Sequence, residues 1–349
     1  VSGTTGTAPT DRIFLTGGTG YLGKHLVHEF HTAGYELILL TRPGSDRRGL
    51  PLDGVRYVEG DLLQPESFAA ILEEVGAVVH SAALVSAWER DRTRFDQINV
   101  RAVEHLLEAC VRAGVARVVY TSSFFVLGPG ADPGPRNETQ GVPVVGFNDY
   151  DRTKIEAARV VEDYRRIGLD VIKVMPTVIY GPGSRTQGNH VARILEQLLS
   201  ERLPGIIGDG SQRWNYVHVA DVARGHRLAL ERGEAGQDYL LGGENRSLLE
   251  FLELAAHFAG VRLPRRRLTF PLLAAVARWQ VARARLGGAA PELTPGIVRA
   301  YRHHWAFDDR KAREELGYRG RALQEGLSET LRWLQSGGIS PFRDEWSTE

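Results

Sequence analysis

The chain has 349 residues, with 43 Lys plus Arg against 43 Asp plus Glu, so its formal net charge is zero at pH 7. That balance removes any global electrostatic argument for a nucleic-acid partner, while the length allows a large core and a second lobe. The single cysteine, Cys110, excludes an intramolecular disulfide and any multi-cysteine metal site. With no run approaching the ~18 apolar residues of a spanning helix, a cytoplasmic enzyme with no transmembrane segment is expected. Cys110 itself, at helical spacing among Leu106, Leu107 and Val111, reads as a small buried hydrophobe.

Val1 to Thr10, mostly Ser, Gly, Thr and Ala, reads as a disordered tail. From Arg12 to about Met175, β-branched and Leu-rich runs alternate with stretches of helical period, which predicts a parallel sheet covered on both faces. The predicted strands are Ile13 to Thr16, Leu37 to Leu40, Val55 to Glu59, Ala77 to His80, Val118 to Ser122 and Val171 to Met175. Leu22, Leu26 and Phe30 mark a first helix, and Phe95, Val103, Leu106, Leu107 and Cys110 a longer one. Gly181-Pro182-Gly183 opens a loop, followed by an amphipathic run over Val191 to Leu199. Val217 to Val222 and Tyr239 to Leu241 look strand-like, so the chain is expected to return to the sheet. The fold class is therefore α/β, a doubly wound Rossmann sheet with a smaller, discontinuous C-terminal lobe. Its expected division is 11–183 plus 215–244 for the dinucleotide-binding part and 184–214 plus 245–340 for the substrate lobe.

Thr16-Gly17-Gly18-Thr19-Gly20-Tyr21-Leu22-Gly23 joins the first strand to the first helix. In that position Gly17, Gly20 and Gly23 allow a tight turn, close backbone approach to a pyrophosphate and close helix-to-strand packing, with Thr19, Tyr21 and Leu22 as further cofactor-binding candidates. At the end of the second strand, where a carboxylate would take the ribose hydroxyls of NAD, stands Arg42. A guanidinium there pairs with a 2′-phosphate, which favours NADP(H), with NAD(H) the alternative. Farther on, Tyr150 and Lys154 stand four apart in a stretch of helical period, hence on one face a turn apart. Upstream, the fifth strand ends in Tyr120-Thr121-Ser122-Ser123, at the sheet edge where such folds place their chemistry.

Together these residues resemble the extended short-chain dehydrogenase/reductase family, with its TGGTGxxG, a serine after the fifth strand, and YxxxK. The resemblance extends over Gly60-Asp61-Leu62, His80-Ser81-Ala82-Ala83, Asn99-Val100, Pro176 to Gly183 and Tyr216 to Val222. Within the family the chain is similar to the dihydroflavonol reductase-like and 3β-hydroxysteroid dehydrogenase-like branch. Its YTSSFFVLG, Leu203-Pro204-Gly205, YLLGGEN and Arg302-His303-His304-Trp305 stretches look like plant farnesol dehydrogenases. The resemblance implies an alcohol dehydrogenase or carbonyl reductase in which Tyr150 is general acid or base, Lys154⁺ lowers its pKa, and Ser123 donates a hydrogen bond to the substrate oxygen. Ser123 is preferred to Ser122 because it keeps the family's SxxVxG register. The same resemblance puts Asp61 and Leu62 beside the adenine, Ala82 and Ala83 beside pyrophosphate and ribose, and Pro176 and Val178 beside the nicotinamide. Asn99 either holds a water near Lys154 or is a packing or capping residue. It also carries the expectation of a homodimer.

Nucleotide-sugar epimerases of this superfamily carry a diphosphate-gripping arginine where this chain has Trp214, in Arg213-Trp214-Asn215-Tyr216-Val217-His218. Trp214, with Phe124 and Phe125 beside Ser123, points to a mainly apolar small-molecule substrate. An epimerase or dehydratase and a non-catalytic dinucleotide sensor are the competing readings. No metal is expected, since His80, His218, His303 and His304 lack ligand spacing. Phe270 to Leu286, mixed apolar and basic behind Arg265-Arg266-Arg267, reads as a lid or packing helix, with a membrane-surface helix the alternative.

Overall fold

The computed structural model describes residues 11–130, 132–140, 146–186, 188–338 and 342, so the expected tail at 1–10 lies outside the described residues. The first half runs β1 (Arg12–Thr16), α1 (Tyr21–Thr32), β2 (Glu36–Thr41), β3 (Val55–Glu59), β4 (Ala77–His80), α2 (Thr93–Asp96), α3 (Ala102–Ala113), β5 (Arg117–Thr121), α4 (Asp149–Arg166) and β6 (Val171–Pro176). Then come β7 (Val178–Tyr180), α5 (His190–Leu199), β8 (Ile206–Ile207), β9 (Arg213–His218), α6 (Val219–Arg232), β10 (Asp238–Leu241) and β11 (Glu244–Ser247). The chain closes with α7 (Leu248–Ala259), β12 (Arg267–Leu268), α8 (Phe270–Arg285), α9 (Pro295–Ala300) and α10 (Leu323–Gln335).

Seven strands form one parallel sheet in the order β10-β6-β5-β4-β1-β2-β3. Period-two alternation assigns neighbouring side chains to opposite faces, and here both faces are buried. Ile13 and Leu15 pack with Leu26, Phe30 and Val222 on the α1 and α6 side. Phe14 instead packs with Leu106, Cys110 and Val161 on the α3 and α4 side. The order reverses between β1 and β4, and the crevice outside their carboxyl ends is where such sheets take a ligand.

Three expectations are corrected. The stretch Val217 to Val222 is not one strand: β9 ends at His218, whose Nδ1 accepts from Ala220 N at 3.3 Å and so starts α6. Nor does β9 rejoin the large sheet. It lies between β7 and β11 in a separate three-stranded sheet, and only β10 returns. The helix from Phe95 to Cys110 is interrupted by a π-helical turn at Gln97–Arg101, which buries Asn99. Asn215, buried in β9, holds this second sheet to the first. Its Nδ2 donates to Gly243 O (3.2 Å) and Asn245 Oδ1 (2.9 Å), and its Oδ1 accepts from Thr177 Oγ1 (2.8 Å) and Gly243 N (2.8 Å). α5, α7 and α10 pack around a further core that includes Trp214, Trp305 and Phe307.

Candidate active site

The glycine turn is built around close backbone approach. Gly17 has φ +78°, and a Cβ there would lie 2.6 Å from Ala82 N, so the loops after β1 and β4 touch at the switch point. A Cβ on Gly23 would come within 1.9 Å of Gly17 O, so only glycine lets α1 start this close to the turn. Gly20 precedes α1 with no side-chain cap and no acidic residue in the first turn, which leaves its N-terminal N–H groups for an anion. Thr19 and Leu22 flank the turn, Leu22 packing into the core below it. Tyr21 is buried, and its hydroxyl donates to Gly181 O at 3.0 Å, tying α1 to the Gly181-Pro182-Gly183 loop.

At the rim, Arg42 is exposed beyond β2. Sequence reasoning missed its neighbours. Arg47 donates to Thr41 Oγ1 (3.0 Å) and to Glu59 Oε1 (3.3 Å), with its guanidinium over the Tyr57 ring. A carboxylate therefore does reach the end of β2, from β3, where Glu59 is register-paired with Thr41. Asp61 Oδ1 accepts from Leu63 N at 2.9 Å, and Leu62 is half-buried against the α3 face. Ala82 N donates to Thr16 Oγ1 at 3.4 Å beside Ala83. Pro176 closes β6, and Val178 is buried in β7.

Ser123 follows β5 and caps the single turn Phe124–Leu127, its Oγ accepting from Phe125 N at 3.4 Å. Buried Arg136, also missed, fixes the chain beyond by donating to the carbonyls of Leu127, Gly128 and Pro129 at 2.7, 2.9 and 3.0 Å. Asn148 caps α4 by accepting from Asp151 N at 3.0 Å. Tyr150 stands in the first turn of α4, with Ser123 near enough to pull the phenol pKa down, and Lys154 lies one turn on. The Lys154 ammonium, 3 % exposed, donates to Thr121 O at 2.7 Å and to Tyr120 Oη at 3.4 Å. Tyr120 stacks on His80 with centroids 5.8 Å apart, and His80 Nδ1 shares a 2.8 Å hydrogen bond with Thr16 Oγ1. Asn99 is committed elsewhere: Oδ1 accepts from Leu84 N (2.7 Å), and Nδ2 donates to Leu84 O (3.2 Å) and Thr153 Oγ1 (3.0 Å).

Burial governs the electrostatics here. It lowers Lys154 to about 7, and together with the Lys154 charge it takes His80 down to about 3, leaving that ring neutral. Burial, then the neighbouring Asp151 charge, raises Tyr150 above an ordinary phenol, against a downward pull from the Ser123 hydrogen bond. Asp151 is itself pushed up to about 7 by burial.

Aromatic side chains gather beside Ser123 and Tyr150. Trp305 meets Phe125 at 5.0 Å, Phe124 at 5.4 Å, and both Phe147 and Trp214 at 5.8 Å between centroids. Phe124 and Trp214 are nearly buried within this group, and Phe125 is half-buried, 6.3 Å edge-on from Tyr150. Arg213 does not stand in for the missing diphosphate grip, because its guanidinium donates to Asn245 O at 3.0 Å. The four histidines have structural partners: besides His80 and His218, His304 Nδ1 accepts from Arg213 N at 3.1 Å and His303 packs on Phe147.

Residues 13–242 match the NAD dependent epimerase/dehydratase family. The chain is 30 % identical over 341 residues to a putative dihydroflavonol 4-reductase of Synechocystis sp., covering 95 % of this chain and 96 % of that one. It is also 30 % identical to a 3 beta-hydroxysteroid dehydrogenase/Delta 5-->4-isomerase of Mycobacterium tuberculosis, covering 95 % and 92 %. The crystal structure of gox2253 superposes with a TM-score of 0.81 at 32 % identity, covering 95 % of this chain and all of that one. A parallel sheet reversed at a glycine-lined turn, matched over most of the chain by reductases and dehydrogenases, makes this protein a member of the NAD-dependent epimerase/dehydratase family and an oxidoreductase of the extended short-chain dehydrogenase/reductase type.

Proposed function

We propose that the protein transfers a hydride between a nicotinamide dinucleotide and a mainly apolar alcohol, ketone or aldehyde of terpenoid, steroid or flavonoid kind. The observation that carries this reading is Trp214, packed in one aromatic cluster with Trp305, Phe124 and Phe125, the last of which meets the Tyr150 ring beside Ser123. An aromatic cluster of that kind favours an apolar body and offers no cation to a diphosphate. The substrate lobe of this reading is formed by 184–214 and 245–340.

The turn at Gly17 and Gly23, packed so closely that a Cβ would strike the backbone of Ala82 or Gly17, sets the uncapped N-terminus of α1 where it would fit a pyrophosphate. Gly20, Thr19, Tyr21 and Leu22 would border it, with Asp61 and Leu62 at the adenine, Ala82 and Ala83 at the ribose, and Pro176 and Val178 at the far end. When bound, the nicotinamide supplies the hydride acceptor or donor. Tyr150 gives its hydroxyl proton to the carbonyl oxygen in reduction and, ionised, takes the alcohol proton in oxidation. Ser123 donates a hydrogen bond to that same oxygen as charge develops on it. Lys154, one helical turn beyond Tyr150 and held by Thr121 O and Tyr120 Oη, supplies positive charge to the site. Arg42 favours a 2′-phosphate and hence NADP(H), whereas Glu59 beside Thr41 favours a free ribose hydroxyl and NAD(H).

The test is a spectrophotometric screen of NAD(P)H oxidation and NAD(P)⁺ reduction across terpenoid alcohols, aldehydes, steroids and flavonoid ketones. Turnover of one class is expected, with Tyr150→Phe lowering kcat by roughly 10² to 10⁴ and Ser123→Ala by about 10² to 10³. Turnover of a nucleotide sugar without net cofactor change, by a protein inert to the whole apolar panel, would sink the proposal.

A further inference from the structure

α8 has two apolar faces. Leu273 and Ala277 pack with Leu268 and Val298 inward, and Ala284 is buried on the same side. Leu272, Ala275, Trp279, Ala282 and Leu286 recur at steps of three and four residues, which aligns them along one side of the helix. All five are exposed, with Leu272 at 43 %, Trp279 at 61 % and Leu286 at 90 %. Large apolar side chains in line on a surface mark an interaction site, unlike the isolated exposed leucines of ordinary surfaces.

The segment of chain that carries the stripe is one-sided in charge. Between Val261 and Pro291 stand Arg262, Arg265, Arg266, Arg267, Arg278, Arg283 and Arg285, with no Asp, Glu or Lys. All seven arginines are exposed, and among the described residues none is ion-paired with a carboxylate. Arg267 donates to Asp209 O at 2.8 Å, and Arg283 lies over the Trp279 ring at 5.2 Å. In a chain whose charges cancel only overall, this segment therefore carries a local excess of seven positive charges. An exposed stripe of Trp and Leu bordered by arginines is the composition of a helix that lies in a lipid–water interface. A nucleic acid would match the charge and leave the apolar stripe uncovered, so the stripe favours lipid.

We propose that the exposed face of α8 docks the protein on an anionic phospholipid surface, with Trp279, Leu272 and Leu286 in the headgroup layer and the arginines on lipid phosphates. No helix among the described residues is long and apolar enough to cross a membrane, so the attachment is peripheral. It is also reversible, since arginine attraction to anionic lipid is screened by salt.

The test is cosedimentation of the full chain with extruded vesicles of phosphatidylcholine alone and of phosphatidylcholine with phosphatidylglycerol. Binding to the anionic vesicles, weak binding to the neutral ones and release in high salt are expected. Replacing Arg278, Arg283 and Arg285 by Gln should weaken partitioning by on the order of a hundredfold, at about fivefold per arginine. Trp279→Ser should weaken it about tenfold, with thermal midpoint and dinucleotide binding held as fold controls. Three results would overturn the proposal. These are no pelleting of the folded protein with anionic vesicles, equal pelleting of parent and variants, or a Trp279-dependent dimer in size-exclusion chromatography that pellets no better with lipid.

Discussion

Asp151 follows Tyr150 in the chain and is 1 % exposed. One carboxylate oxygen accepts from Phe147 N at 3.3 Å, and among the described residues the other has no hydrogen-bond partner and no cation lies within ion-pair distance. A carboxylate so placed is costly, and this one stays protonated up to about pH 7. An unfolded aspartate loses its proton near pH ~4. Between those values the unfolded chain binds fewer protons, so the Asp151 contribution to stability falls as pH rises through the window and is level above it. Asp151→Asn should flatten that slope, which urea unfolding midpoints from pH 4 to 8 will read. Above pH 7 the ionised carboxylate also opposes ionisation of Tyr150. In the same variant, the rise of kcat/KM with pH in the oxidation direction should therefore move to lower pH. A profile unchanged in both respects would count against a charged Asp151.

The β1-to-α1 turn is the element on which the proposed cofactor site depends, and its glycines are not equivalent. A methyl group on Gly20 would meet only Gly17 O, at 3.2 Å, in an extended conformation open to any residue. On Gly23 it would overlap that oxygen. Gly23→Ala should therefore cost about 2 kcal/mol or more of stability through overpacking and weaken dinucleotide binding at least tenfold, whereas Gly20→Ala should cost little stability and act on dinucleotide binding alone, where the methyl would meet the pyrophosphate. Calorimetric titration with NAD⁺ and NADP⁺ checks both. α4 shows the same dependence on its surroundings, because its capping Asn148 and the burial of Lys154 fix where the Tyr150 hydroxyl lies. The YxxxK spacing was legible because helical period alone aligns the two groups. Tyr120, His80 and Arg136 were not, since they reach the site from β5, β4 and a loop.

Over the whole molecule, the cofactor crevice forms where the sheet reverses between β1 and β4, and a ligand there binds only the folded chain. A dinucleotide at a hundredfold excess over Kd should stabilise the fold by about 2.7 kcal/mol, read as a rise in thermal midpoint. Arg42 predicts the larger rise with NADP⁺, and Arg42→Ala should erase that difference. An unchanged preference would shift the assignment to Glu59, which approaches the same strand end from β3.

The amino-acid order by itself determined the six strands of the first half, the glycine turn and the YxxxK helix, because these follow from periodicity and from local backbone demands that neighbours in sequence satisfy. It also marked Trp214 as a departure from a phosphate grip. Only the tertiary structure decided that His218 ends β9 and starts α6, that β9 joins a second sheet, and that Glu59 stands beside Thr41. The same holds for the enclosure of Phe124 and Trp214 by Trp305, a residue 91 positions beyond Trp214. Each of these depends on which distant segments pack together, and burial and register across such distances leave no periodic trace in the chain.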